Sequence, residues 1–121
     1  MSAYPFKRIL AVDDEPFVCE SVKMMLMFDG HQVETAGSGH EALEKFDAAR
    51  FDLVLTDYAM PGMKGDQLAK AIKKQSPQMP VILLTAFPPE IQPPCFNLVL
   101  TKPFSFDDLR NALAEVDGSS K

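Results

Sequence analysis

Three kinds of side chain in this chain could do chemistry together: the carboxylates of Asp13, Asp14 and Asp57, the hydroxyl of Thr85 and the ammonium of Lys102. Each stands at the end of an apolar run. Asp13 and Asp14 follow Ile9-Leu10-Ala11-Val12, Asp57 follows Leu53-Val54-Leu55-Thr56, Thr85 follows Val81-Ile82-Leu83-Leu84, and Lys102 follows Leu98-Val99-Leu100-Thr101. A carboxylate can serve as a nucleophile and be carried through a covalent intermediate. Three carboxylates gathered at one place need a cation, because two like charges ~4 Å apart repel by about 4 kcal/mol at a surface-like dielectric. Oxygen ligands only, few in number, suit Mg²⁺. A lysine, a hydroxyl and Mg²⁺ converging on one carboxylate make a phosphoryl-transfer site.

The elements that must position these groups can be read from the apolar pattern. Short apolar runs bounded by turn residues read as buried strands, here at residues 8–12, 52–57, 80–84 and 97–101, with a weaker alternating strand at 32–36 that suits a sheet edge. Between them lie helical stripes. Pro16 suits the first turn of a helix carrying Val18, Val22, Met25 and Leu26, which Asp29-Gly30 ends. Ser38-Gly39-His40-Glu41 fits a capping box for a helix with Ala42, Leu43, Phe46 and Ala49 inward. Asp66 is expected to cap a third helix, with Leu68, Ala69 and Ile72 inward and Lys70, Lys73 and Lys74 on a solvated face. Ser105 is expected to cap a last one, carrying Leu109, Ala112, Leu113 and Val116. Pro88, Pro89, Pro93 and Pro94 forbid a regular helix of any length before the final strand.

Strand and helix alternating in this way imply an α/β fold with a parallel sheet covered on both faces. In a flavodoxin-like sheet of order 2-1-3-4-5, the first and third strands flank the point where the order reverses, and ligands bind in the crevice at the strands' carboxyl ends. The Asp13, Asp57, Thr85 and Lys102 side chains would then share one crevice. The chain has 121 residues and a formal charge of −5, from 12 basic and 17 acidic residues. That suits one domain over residues 1–121 and argues against direct nucleic-acid binding, which needs a basic face. No apolar run is long enough to span a bilayer, and the N-terminus lacks the pattern of a secretory signal. Cys19 and Cys95 lack metal-ligand spacing and read as reduced thiols of a cytoplasmic protein. His31 and His40 read as residues without a chemical role.

The acidic pair Asp13-Asp14, Asp57 followed by Met60-Pro61-Gly62, Thr85-Ala86 and Lys102-Pro103-Phe104 resemble, in order and spacing, the receiver domains of two-component response regulators, the family of the chemotaxis receiver protein. The resemblance covers nearly the whole chain. It implies a (βα)5 sandwich in which Asp57 is the phosphoacceptor, Asp13, Asp14 and Asp57 hold Mg²⁺ with the Ala59 backbone carbonyl as a further ligand, Thr85 binds a phosphoryl oxygen, and Lys102 bridges the acid cluster and the phosphoryl group. It also implies a sensor histidine kinase or histidine phosphotransfer protein as donor, a downstream protein target, and no catalysis beyond the domain's own phosphorylation and dephosphorylation. Ala59 and Phe87 occupy the two positions that tune hydrolysis in that family, and neither can hydrogen-bond a water through its side chain.

Two departures bear on output. Where family members carry an aromatic residue three positions before the lysine, this chain has Val99. Where they carry a fourth helix, it has the proline-rich stretch 87–96, so that helix is expected to be missing or reduced to a turn. The alternative reading is a phosphorylation-independent binding module with a degenerate output face. An aspartate-nucleophile phosphatase ranks last, since Asp13-Asp14-Glu15 does not give the Asp-x-Asp pattern and no cap domain is present to hold a substrate. No output domain is expected after the last helix.

Overall fold

In a computed structural model, which describes residues 7–88 and 95–116, the chain runs β1 (Arg8–Val12), α1 (Pro16–Phe28), β2 (Gln32–Ala36), α2 (Gly39–Lys45), β3 (Leu53–Asp57), α3 (Gly65–Gln75), β4 (Val81–Thr85), β5 (Leu98–Thr101) and α4 (Phe106–Val116). The strands form one parallel sheet in the order β2-β1-β3-β4-β5. The register places Val12 beside Ala36 and Thr56, and Asp57 beside Leu84. This is the expected flavodoxin-like architecture.

Side chains alternate across the sheet, and each face meets two helices. Leu10, Val12, Val54, Val81 and Leu83 pack with Leu68, Ala69 and Ile72 of α3 and with Ala42 of α2. Ile9, Ala11, Leu53, Leu55, Ile82 and Leu84 pack with Val22 and Leu26 of α1 and with Leu109 and Leu113 of α4. Burying each large aliphatic side chain contributes about 2 kcal/mol. β3 is buried along its whole length, as a central strand covered on both faces must be.

Helix ends follow local chemistry. Pro16 opens α1. Gly30, at φ 93°, closes it, with the Gly30 N–H donating to Met27 O at 3.0 Å and the His31 N–H to Leu26 O at 3.1 Å, the paired bonds of a Schellman cap. Ser105 caps α4: its hydroxyl accepts from the Asp108 N–H, and Asp108 accepts from the Ser105 N–H, both at 3.0 Å.

Several expectations need correction. α2 stops at Lys45 and Phe46 leaves the helix, so Ala49 is exposed outside it. The Ser38 hydroxyl accepts from the Glu41 N–H at 3.0 Å, but the Glu41 carboxylate accepts from the Gly37 N–H at 2.8 Å instead of completing the box with Ser38. α3 is not capped by Asp66, which lies in its first turn. The helix begins at Gly65, and the Gln67 side chain reaches back to accept from the Lys64 N–H at 2.8 Å. Lys73 is half-buried and tied down, not simply solvated: its ammonium donates to Met79 O at 2.6 Å and to Asn97 Oδ1 at 2.7 Å, and burial draws its pKa down. Asn97 Oδ1 also accepts from the Val81 N–H at 3.0 Å, tying β5 to β4 at their start.

Among the described residues there are four helices and none between β4 and β5. Residues 87–88 and 95–97 flank the proline-rich stretch without helix. Its inner part, 89–94, lies outside the described residues. Cys95 and Phe96 are buried, packed into the same core face as α3.

At the opposite edge of the sheet from the crevice, Arg8 forks onto Asp52. Its guanidinium donates to both carboxylate oxygens, at 3.0 and 3.2 Å, its N–H donates to the same carboxylate at 2.8 Å, and Asp52 N–H returns a bond to Arg8 O at 2.7 Å.

Candidate functional site

Parallel strands with right-handed crossovers bring every strand's carboxyl end to one edge. Asp13 follows the end of β1, Asp57 is the last residue of β3, Thr85 the last of β4, and Lys102 follows β5. One carboxylate oxygen from each of Asp13, Asp14 and Asp57 lies within 4.8 Å of the others. Lys102 Nζ stands 3.1 Å from Asp13 Oδ2 and 3.2 Å from Asp57 Oδ1. Asp13 and Asp57 are buried, and Asp14 is the most open of the three.

The Asp13 carboxylate is held in place by backbone. The other oxygen of Asp13 accepts from the Glu15 N–H at 2.9 Å, and the Asp13 N–H donates to Ala36 O at 3.1 Å. Cys19, on α1, donates its thiol proton to Asp13 O, with a sulfur–oxygen distance of 3.2 Å. Its thiol is pushed up in pKa by burial and then by the Asp13 charge. Both cysteines are free, and neither belongs to the acid cluster.

Burial, and then the Asp13 charge, raise the Asp57 pKa above the ordinary carboxylate range, with Lys102 opposing. Burial pulls the Lys102 pKa down, but its pairing with Asp13 and Asp57 outweighs that and leaves it raised. The site therefore carries three carboxylates for one lysine. Such a donor set, all hard oxygen with an excess of negative charge, fits a small divalent cation and suits no soft metal.

Removing the lysine has a calculable direction. Lys102→Met leaves two buried carboxylates without their cation, and breaking a sealed ion pair costs about 3–5 kcal/mol. Lys102 keeps 23% of its side chain exposed, so the metal-free loss is expected to be nearer ~2 kcal/mol. Added Mg²⁺ should then recover more stability in the variant than in the wild type. Thermal melts in chelator and in Mg²⁺ check this; equal melting of the two proteins in chelator would remove Lys102 from the site's electrostatics.

Thr85 and Ala59 join the cluster less directly. Thr85 is buried at the same edge, and its hydroxyl accepts from the Phe87 N–H at 3.1 Å. Its carbonyl accepts from the Lys102 N–H at 2.8 Å, linking the ends of β4 and β5. Ala59 lies in the exposed loop two residues beyond Asp57. Phe87, the other of the two tuning positions, is 87% exposed.

Two residues of the site escaped the sequence reading. Thr56, fully buried, donates its hydroxyl to Asp57 O at 2.9 Å. Gly65, at the start of α3, sits so close to β3 that a Cβ there would fall 2.3 Å from Asp57 O and 2.9 Å from Tyr58 Cα. A glycine inside the first turn of a helix, where it costs about 1 kcal/mol against alanine, was the available signal.

Comparison with known proteins places this geometry. A sequence-family model described as "Response regulator receiver domain" matches residues 9–114. The transcriptional regulatory protein GlrR of Escherichia coli K12 is 39% identical over 111 residues, covering 87% of this chain and 25% of GlrR. The chain spans between a quarter and a little over two fifths of the length of the curated relatives it matches. Among solved structures, the chemotaxis protein CheY4 of Vibrio cholerae aligns with a TM-score of 0.86 at 34% identity, covering 93% of this chain and 99% of CheY4. TrrA of Thermotoga maritima, a response regulator protein solved with Mg²⁺ and BeF, aligns with a TM-score of 0.84 at 37% identity, covering 92% and 99%. TrrA has also been solved in complex with the histidine kinase ThkA. With the strand order, the acid cluster and the family match agreeing over almost the whole sequence, this chain belongs to the response regulator receiver domains of two-component systems.

Proposed function

We propose that the chain is a phosphoacceptor switch. In this reading a histidine kinase or histidine phosphotransfer protein presents a phosphohistidine, the N–P bond breaks, and an oxygen of Asp57 forms the new bond to phosphorus. Hydrolysis by water later returns the free carboxylate and inorganic phosphate. Asp13, Asp14, Asp57 and the Ala59 carbonyl would hold Mg²⁺, which supplies charge neutralisation for the transferred group. Lys102 stands ready to pair with the phosphoryl oxygens, and Thr85 would exchange its bond from the Phe87 N–H for one to a phosphoryl oxygen. The domain would catalyse nothing beyond its own phosphorylation and dephosphorylation. Its consequence would be altered binding of a downstream protein, in the cytoplasm, without direct contact to nucleic acid or membrane.

The observation that carries this reading is Lys102 Nζ spanning Asp13 and Asp57 within a three-carboxylate cluster. A neighbour's complex with Mg²⁺ and BeF and its complex with a kinase support it. So does an apolar cavity of about 490 Å³ beside Lys102, lined by Phe17, Val18, Met25, Ala86 and Phe104, where a donor's helix could lie. Phe17 and Met24 on the outer side of α1 are 86% and 69% exposed.

The test is mass measurement after incubation with a small phosphodonor. One phosphoryl group is expected on the intact chain with Mg²⁺ and none in chelator, and peptide mapping should locate it at Asp57. Label elsewhere, or label independent of metal, would end the proposal.

One observation favours a second reading, a binding module that keeps the site but has lost the switch. Val99 packs against the core face shared by α2 and α3, and a β-branched side chain is stiff at χ1. It offers no ring that could swing between buried and exposed positions. A partner that binds phosphorylated and unphosphorylated protein equally would favour this reading.

A further inference from the structure

Thr56 is the one polar side chain in β3 ahead of Asp57, and it is fully buried. Nothing in the packing asks for a hydroxyl there. Valine has the same shape and suits a buried strand better, whereas a buried hydroxyl must find a partner. The partner it finds is the peptide oxygen of Asp57, 2.9 Å away.

That same oxygen is the atom Gly65 crowds, since a Cβ on Gly65 would lie 2.3 Å from it. The Gly65 N–H also donates to the next carbonyl along, Tyr58 O, at 2.9 Å. Two consecutive peptide groups beginning at Asp57 are therefore held, the first by the Thr56 hydroxyl and by close packing, the second by the first turn of α3. The orientation of the Asp57–Tyr58 peptide sets the ψ angle of Asp57, and with it where the carboxylate points relative to Lys102.

We propose that the Thr56 hydroxyl is a positioning group for the phosphoacceptor: by holding the Asp57 carbonyl against the Gly65 face of α3, it keeps the carboxylate aimed at the site before a phosphoryl group arrives. The proposal rests on the reading of Asp57 as the acceptor. Thr56 itself touches no reacting atom. Its influence runs through the backbone, where a misplacement of about 1 Å can cost a hundredfold in rate.

The experiment compares wild type, Thr56→Val, Thr56→Ser and Asp57→Asn, with phosphoramidate as donor and Mg²⁺ at saturation, at a temperature where melts show all four folded. Mg²⁺ affinity is titrated separately. Thr56→Val keeps the shape and loses the donor, so its rate at saturating donor should fall about tenfold while its Mg²⁺ affinity stays within roughly threefold of wild type. Thr56→Ser restores the hydroxyl and should return the rate to within about twofold. A loss of packing alone would lower the melting temperature of Thr56→Val without changing the rate of its folded form. Thr56→Val reacting at the wild-type rate, or Thr56→Ser as slow as Thr56→Val, would overturn the positioning role while leaving Asp57 as acceptor. Equal label on wild type and Asp57→Asn would overturn the reading of Asp57 itself and the role of Thr56 with it.

Discussion

Asp57→Asn should take up roughly a hundredfold less phosphoryl label than wild type, and it should melt higher in the absence of metal. The first effect follows from removing the nucleophile. The second follows from the electrostatics. Burial and the neighbouring Asp13 charge raise the Asp57 pKa, so its ionised form is penalised in the fold. Such a group contributes its full stability below the unfolded pKa, near 4, and loses it as pH rises through the raised folded value. Asparagine has no such slope. The advantage of the variant should therefore appear only above about pH 4 and grow to a plateau, reduced by whatever the Lys102 contact at 3.2 Å contributes in wild type. Mg²⁺ should narrow or reverse the difference, since wild type gains more from binding it. Melting curves across pH, in chelator and in Mg²⁺, measure all of this. A variant that melts lower than wild type at neutral pH in chelator would show that the Lys102 pairing outweighs the repulsion.

Gly65→Ala should be among the most damaging single substitutions, although helix propensity predicts the opposite. Alanine is better than glycine in a helix by about 1 kcal/mol. Here the new methyl would sit 2.3 Å from Asp57 O and 2.9 Å from Tyr58 Cα. Both obstacles are backbone, at the end of a strand buried on both faces, and neither can rotate away. The start of α3 must move outward, pulling Leu68 and Ile72 from their packing. We expect a net loss of about 3 kcal/mol, or roughly 10 °C in melting temperature for a chain of this size. Label uptake by the folded protein should fall as well, because the displaced atom belongs to Asp57. Urea unfolding with an unchanged slope and a lower midpoint would be the signature. A midpoint at or above wild type would mean that α3 slides aside freely. At Gly39 a Cβ would meet Met63 Cβ and Sδ, each at 2.8 Å; the sulfur can swing aside but the Cβ cannot, so that site resists a methyl too, though its closest approach is less severe than the 2.3 Å at Gly65.

These two cases mark what could be read from the sequence. Asp57 and its companions were legible because each polar residue follows an apolar run, and a parallel sheet sends all strand ends to one edge. The parallel sheet followed from the alternation of elements, and its strand order from the family resemblance. The ends of α1 and α4 were legible because Gly30 and Ser105 act on their own neighbours. Gly65 and Thr56 were not, since their partners depend on how α3 docks onto β3. Lys73 failed for the same reason: its position on a polar stripe of α3 says nothing of Met79 O and Asn97 Oδ1 waiting across the helix. Asp66 was read as a cap by residue type, and Gln67 does that work from inside the helix.

The Arg8–Asp52 fork has a consequence for fidelity. β3 is apolar on both faces, so sliding it by one residue along β1 would exchange Leu53 and Leu55 with Val54 and Thr56 at little hydrophobic cost. With no polar face to be driven into the core, such a slip meets less penalty than it would in a half-exposed strand, whose polar face a one-residue shift would bury. Asp52, just before the strand, meets Arg8 through three bonds that exist in one alignment only, and the Asp52 N–H closes the pair onto Arg8 O. An exposed ion pair adds little to stability. It can still discriminate between alignments, since every slipped one loses all of these bonds together. The correctness of the acid cluster at one edge of the sheet is thereby checked at the other: the chain proofreads the facing of Asp57 five residues before Asp57 is reached.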